Sequence, residues 1–224
     1  MKKIYLIILA LATVSCSKVE GRIDDYSGTY ERNTSVAESY MAVLASKLVP
    51  DYLIALEAAL LYDSYGYYTG SLGQSDYDSN GKSIRTEGVT WTVDAKKKVA
   101  GLKITCKGGD TWELSREGEY SYDSAERDKD YVTVCNMTAV MQDEVSSGHY
   151  NWKVTLTGSR TEREGYLCRF ESSPSLELIC DQARDNSWDN CYGAVTMLIL
   201  KGTEKVDMAR MDYNGKNTTF LRGL

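Results

Sequence analysis

Apolar and polar residues alternate along most of the chain after residue 88, and this alternation constrains the fold more than any other feature. A period of two residues is typical of a β-strand that buries one face. The alternating runs are Val89–Val93, Leu102–Cys106, Trp112–Leu114, Tyr131–Met137, Trp152–Leu156, Tyr166–Phe170, Leu176–Cys180 and Val206–Met208. A ninth run, Tyr192–Leu200, is apolar on both faces, which predicts a central strand. We therefore predict a mainly β fold, an antiparallel meander of about eight or nine strands over residues 89–224 that forms a barrel or a strongly bent sheet.

The residues before these runs have the spacing of helices. Apolar side chains recur every three or four residues at Val36, Tyr40, Val43, Leu44 and Leu48. Pro50 then interrupts the pattern because proline lacks the N–H that a helix interior needs. A second helix is predicted from Pro50 to about Tyr62, and it is apolar over most of its circumference, so it must be buried. We predict two helices within residues 34–62 that plug or flank the sheet, and a polar loop over residues 63–88.

The first residues of the chain have the pattern of a secretion signal. Two lysines precede an apolar run from Ile4 to Val14, which is shorter than the ~20 residues that a membrane-spanning helix needs. The small residue Ser15 then precedes Cys16. This arrangement resembles the lipobox of bacterial lipoproteins, and Thr13 resembles the looser pattern of Bacteroidetes-type lipoproteins.

The resemblance implies that residues 1–15 are removed and that acyl chains on Cys16, palmitate among them, anchor the protein in a membrane. Removal of two lysines changes the formal charge from −6 to −8, so attraction to anionic lipid would not contribute. We expect an outer-membrane lipoprotein with residues 16–33 as a polar tether, on either the periplasmic or the outer face. The alternative is an ordinary signal peptide followed by an incidental cysteine.

Residues 76–87 match every specified position of the calcium-loop pattern D-x-[DN]-x-[DN]-G-x₅-E. The match resembles an EF-hand loop over these twelve residues only, because no helical pattern flanks them on both sides. The resemblance implies side-chain ligands from Asp76, Asp78 and Asn80, a backbone carbonyl from Lys82 and a bidentate carboxylate from Glu87. The alternative interpretation is an acidic loop exposed to solvent.

Two polar stretches suggest a role for glycans, one as a bound ligand and one as an attached modification. Trp188 follows Asp185 and Asn186, and an exposed aromatic ring beside such residues can stack on a sugar whose hydroxyls they bond. The alternative is an aromatic side chain that covers the end of the core. Asp123-Ser124-Ala125 resembles the O-glycosylation sequence of Bacteroidetes secreted proteins, which implies Ser124 as an acceptor.

The cysteines and the single histidine allow two interpretations. Five cysteines follow Cys16, namely Cys106, Cys135, Cys168, Cys180 and Cys191. They are either small buried core residues or partners in one or two disulfides, with Cys180–Cys191 closing the shortest loop. His149 lies in a turn between Gly148 and Tyr150 and is interpreted as an exposed turn histidine. A zinc site is not expected, because one histidine and no CxxC pair are present.

Composition and motifs leave two classes of function. The pI near 5.0 argues against a basic face for nucleic acid. The first class is a non-enzymatic envelope lipoprotein that binds a glycan or a protein, or has a structural role. The second is a carboxylate-dependent hydrolase acting on polysaccharide. We predict the first, without a cofactor unless calcium binds residues 76–87.

Overall fold

The computed structural model of the chain describes Met41 and residues 44–65, 82–94, 99–118, 133–161, 165–180, 188 and 190–223. This part contains one helical segment and ten strands of a single antiparallel sheet. A π-helical turn, Leu44–Leu48, runs directly into helix α1, Val49–Tyr65. The strands are β1 Thr90–Thr92, β2 Lys103–Gly108, β3 Thr111–Gly118, β4 Thr133–Ser146, β5 His149–Thr161, β6 Tyr166–Ser172, β7 Leu176–Ile179, β8 Asn190–Lys201, β9 Glu204–Gly215 and β10 Asn217–Gly223.

The predicted mainly β, antiparallel fold is confirmed. Each of the nine predicted runs falls on one of the strands β1 to β9, whereas β10 lacks a clear alternation and was not predicted. The strands pair in the order β1-β2-β3-β4-β5-β6-β8-β9-β10, and β7 pairs with β5 and β8. Strand β8 therefore has neighbours along both edges.

Strands β6 and β7 are two halves of one interrupted strand. Both pair with β5 on one side and with β8 on the other. The interruption contains Pro174, which has no N–H to donate to a neighbouring strand. Opposite it, Gly193 has a φ of 121°, and a Cβ atom there would lie 2.5 Å from the Ser175 carbonyl oxygen. The sheet therefore remains a simple meander despite this interruption.

Helix α1 begins at Val49, one residue before the predicted start at Pro50. The π-helical turn precedes it without a gap, so the type of helix changes next to the proline, which disturbs the hydrogen bonds of a regular helix. The helix extends to Tyr65, three residues beyond the predicted end. The start of the predicted first helix, residues 34–40, lies outside the described residues, as do the signal and tether.

Helix α1 is buried around most of its circumference. From residue 47 in the π-helical turn to residue 61, the exposed or half-exposed side chains form one stripe at spacings of three and four residues, namely Lys47, Asp51, Ile54, Ala58 and Leu61 with Pro50 beside it. Tyr62 and Asp63, near the C-terminal end, are also half-exposed. Ile54 is 45% exposed, whereas its neighbours Leu53 and Ala55 are buried. This burial agrees with the predicted helix that must be enclosed by other elements.

The helix contacts strands that are far apart in the sheet. The ring of Tyr62 packs edge-on against Trp91 of β1, with centroids 5.6 Å apart. At the other end of the helical segment, the hydroxyl of Tyr213 on β9 donates to the Met41 carbonyl oxygen. Trp112 and Trp152, both fully buried, pack edge-to-face between these ends at 6.0 Å. One hydrophobic core therefore joins the helix to the sheet.

Candidate functional site

A buried carboxylate joins the C-terminal half of α1 to β5. Glu57 is 5% exposed and is surrounded in sequence by apolar residues of the helix. Its Oε1 accepts hydrogen bonds from Trp152 Nε1 at 2.9 Å and from the backbone N–H of Tyr150 at 3.0 Å. A buried charged group needs such partners, and here the start of β5 supplies them.

The second oxygen of this carboxylate contacts the only histidine of the chain. His149 Nδ1 lies 3.0 Å from Glu57 Oε2, and the histidine side chain is 33% exposed. The expected exposed turn histidine is therefore a half-exposed residue at the first position of β5 with a buried partner. A carboxylate bonded to Nδ1 fixes the orientation and the tautomer of the imidazole.

A small pocket borders this pair at the turn between β4 and β5. It has a volume of about 180 Å³ and is lined by Glu57, Leu60, Leu61, Glu144, Ser147, Gly148 and Tyr150. Glu144 also supports the turn, because its Oε1 accepts a hydrogen bond from the Gly148 N–H at 3.2 Å. The volume is below the ~300–1,000 Å³ that is typical of small-molecule sites.

A cationic side chain completes the surroundings of the pocket. Arg85 lies 5.9 Å above the Trp112 ring and 3.8 Å from the Asp110 carboxylate. Burial raises the pKa of Tyr150, and Glu144 adds to this, while a hydrogen bond from Arg85 opposes it. The positive charge of Arg85 therefore lowers the pKa of Tyr150, whereas the negative charge of Glu144 raises it.

The pKa of Glu57 is likewise set by opposing effects of burial and of hydrogen bonds. Burial raises the pKa of the Glu57 carboxyl above its ordinary value. Hydrogen bonds from Trp152, Tyr150 and His149 act in the opposite direction because they stabilise the ionised form. The arrangement is therefore a titratable carboxylate–histidine pair beside a small polar pocket, which can hold or exchange a proton.

The calcium loop is described only in its second half. Lys82 and Glu87 are exposed, whereas Asp76, Asp78 and Asn80 lie outside the described residues. Within the loop, Ser83 Oγ and the Ile84 N–H donate to the Asp63 carboxylate at 2.7 and 3.1 Å. Ile84 is fully buried. Helix α1 thus positions the end of the loop, and in the described ranges no three acidic, histidine or cysteine side chains form a metal-binding group.

Trp188 does not have the exposed ring that stacking on a sugar requires. It is 7% exposed, and its Nε1 donates to the Tyr150 carbonyl oxygen at 2.9 Å. The Trp188 side chain therefore agrees with the alternative interpretation, an aromatic residue that covers the end of the core. Asp185, Asn186 and Ser124 lie outside the described residues, as does the lipidation residue Cys16.

The cysteines have the character of core residues. Cys106, Cys135, Cys168 and Cys191 are buried and Cys180 is half-buried, and all five are thiols. Burial raises the pKa of Cys135 and of Cys191 to about 12. Of the two interpretations, the described strands agree with buried thiols.

Comparison with known proteins does not place the chain in a family: no protein-family model, curated protein or solved structure matches it. Among the described residues, no helix combines the length and the apolar character that crossing a membrane would require.

Proposed function

We propose that this protein is a lipid-anchored lipoprotein of the cell envelope that acts as a non-enzymatic binding or structural module. The anchor rests on the sequence before the fold: two lysines, an apolar run from Ile4, and Ser15 before Cys16. Several acyl chains at ~0.8 kcal/mol per buried CH₂ would hold it stably at the outer membrane.

The observation that carries the non-enzymatic class is the packed core of the described residues. Side chains of helix α1 and three fully buried tryptophans, Trp91, Trp112 and Trp152, belong to one hydrophobic core, where a ligand-binding β fold would leave a cavity. The pocket at Glu57 lies at one end of this core and is small. A protein with such a core would bind a partner through its surface or serve as a structural component of the envelope.

We further propose that the sheet curves strongly around α1. A helix on a flat sheet buries about half of its circumference, whereas α1 exposes one stripe of side chains from its start to Leu61. The helical segment also contacts β1 and β9, which are seven strand positions apart. Curvature accounts for both facts, because it brings distant strands to one helix.

Replacement of Cys16 by Ala tests the anchor. The wild-type protein is expected in the membrane fraction after cell lysis, and Cys16→Ala in the soluble fraction, because the thiol that carries lipid is gone. Ser17→Ala is the matched control and should remain with the membrane. Recovery of Cys16→Ala in the outer membrane would contradict the proposal.

A carboxylate-dependent hydrolase is the second candidate, favoured by one observation: Glu57 and Glu144 line the same pocket. Paired carboxylates are the machinery of glycoside hydrolysis. The test is release of reducing ends from envelope polysaccharides by the wild type and by Glu144→Gln. Release that depends on Glu144 would replace the non-enzymatic proposal, and absence of release from the wild type would support it.

A further inference from the structure

We propose that Glu57 and His149 form a pH-dependent latch, which holds the turn between β4 and β5 against α1 and opens when Glu57 takes up a proton. The turn comprises residues 146–149 and follows the longest strand of the described sheet. All three groups that bond the Glu57 carboxylate come from the first four residues of β5. The charge state of one helical side chain therefore determines how the turn is held.

The two oxygens of Glu57 have different roles, and this makes the latch selective. Oε1 already accepts two hydrogen bonds, from Trp152 Nε1 and from the Tyr150 N–H. Oε2 faces His149 Nδ1 at 3.0 Å. A proton added to the carboxyl therefore resides on Oε2 and converts that atom from an acceptor into a donor.

Acid then places two donors opposite each other. An ionised Glu57 accepts from the Nδ1–H of either a neutral or a protonated imidazole, so the contact survives the protonation of His149. Once Glu57 is also protonated, its O–H faces the Nδ1–H of a cationic imidazole, and the charge-assisted hydrogen bond between the two side chains is lost. The bonds at Oε1 remain, so the opening is confined to the turn.

Few other charged or titratable groups of the described residues surround the Glu57–His149 pair, so a change in its protonation acts locally. These groups are Glu144 of β4, Tyr150 of β5 and Arg85 before β1, with Asp110 behind Arg85. The pocket of about 180 Å³ beside Glu57 is polar and large enough for water, whose share of liquid volume is about 30 Å³. Water can therefore replace the histidine when the contact breaks.

The direction of the Glu57 shift agrees with opening without unfolding. Burial raises the pKa of Glu57 in the folded protein. A carboxyl whose pKa is raised on folding stabilises the fold most below its ordinary pKa, and this contribution is lost as the pH rises through the folded value. Protonation of Glu57 therefore releases His149 while the folded state is retained.

Hydrogen–deuterium exchange of the full chain tests the latch. Exchange of the peptide covering residues 145–151, corrected for intrinsic pH dependence, is followed from pH 8 to pH 4. In the wild type the corrected rate should rise about tenfold in acid, as expected for the loss of a hydrogen bond to a charged group. Rates in β8 should stay constant, because the sheet remains folded.

Three variants separate the latch from a general effect of acid. His149→Ala should exchange rapidly at every pH, because no latch forms. Glu57→Gln should open at a higher pH than the wild type, because the amide NH₂ that replaces Oε2 cannot accept a hydrogen bond from a protonated imidazole. Glu144→Gln, which keeps an acceptor for Gly148, should retain the wild-type profile.

Two results would overturn the proposal. One is a turn whose corrected exchange is unchanged between pH 8 and pH 4 in the wild type. The other is a wild-type profile that coincides with that of His149→Ala. If Glu57→Gln does not fold, the comparison of the wild type with His149→Ala still decides.

Discussion

At the residue scale, Gly158 shows how closely side chains pack across the sheet. A Cβ atom at this position of β5 would lie 2.3 Å from Phe170 Cζ and 2.3 Å from the Val134 carbonyl oxygen. One of these contacts involves backbone, which cannot move without disturbing β4. The glycine therefore lets the Phe170 ring from β6 lie over the backbone of β5.

Replacement of Gly158 by Ala is expected to destabilise the protein by about 1–3 kcal/mol, the cost of overpacking a well-packed core. The measurement is the midpoint of urea unfolding at constant slope. Ser159→Ala is the control, since the next residue of a strand points to the other face, and it should change stability by less than about 0.5 kcal/mol. Equal stability of Gly158→Ala and wild type would contradict the described approach of Phe170.

Two buried thiols are expected to be unreactive in the folded protein. Burial raises the pKa of Cys135 and of Cys191 to about 12. At pH 8 about one thiol in ten thousand would then be ionised, and only the thiolate attacks alkylating reagents.

Treatment with iodoacetamide at pH 8 should therefore label Cys135 and Cys191 only after unfolding in urea. Mass spectrometry of peptides from the native and the unfolded protein provides the measurement, and the unfolded sample is the control. Rapid labelling of Cys135 without urea would show that β4 is more accessible than described.

At the element scale, helix α1 provides a paired test of its enclosure by the sheet. Leu53 is fully buried and Ile54 is 45% exposed, although the two residues are adjacent. Leu53→Ala should cost about 2–5 kcal/mol because it leaves a cavity in the core. Ile54→Ala should cost less than about 1 kcal/mol, because little apolar surface is uncovered. Similar losses of unfolding free energy for the two variants would contradict the described burial of Leu53 and exposure of Ile54.

The elements differ in how well the sequence predicts them, and the reason is physical. Strands β1 to β9 bury one face or both, so their apolar residues have a pattern. Strand β10 carries Thr218 and Thr219, which are exposed, and its pairing with β9 rests on backbone hydrogen bonds that leave no pattern in the side chains. The start of α1 was predicted to within one residue, because proline disturbs the hydrogen bonds of a regular helix.

The latch residues were not predicted from the sequence, since Glu57 and His149 are 92 residues apart. The one local signal was a single carboxylate within the apolar stretch of α1. A buried charge requires a partner, and the only histidine was a candidate, but spacing along the chain could not join them. The calcium loop shows the opposite case, since its pattern is complete in sequence and its first ligands lie outside the described residues.

At the scale of the whole molecule, calcium binding to residues 76–87 would raise thermal stability. Extracellular calcium modules have Kd values of about 10⁻⁴–10⁻³ M. At about 2 mM calcium, a site with a Kd of ~10⁻⁴ M stabilises the fold by about 1.8 kcal/mol. For a chain of this size the melting temperature would rise by about 4–7 °C.

The measurement is a pair of melting curves, in chelator and in calcium, for the wild type and for Glu87→Ala. The wild type should gain stability in calcium and the variant should not, because Glu87 supplies two ligand oxygens. Lys82→Ala is the control and should behave as the wild type, since its ligand is a backbone carbonyl. Superimposable wild-type curves would identify the segment as an acidic loop.

The enclosed helix also determines when folding can be completed during synthesis. Helix α1 is made first, yet the residues that cover it come from strands synthesised much later, and Tyr213 meets Met41 across 172 residues of chain. Until those strands emerge, the apolar surface of α1 has no permanent partner. Contacts of such long sequence separation slow folding. The core can therefore be completed only after translation has passed Tyr213, near the end of β9.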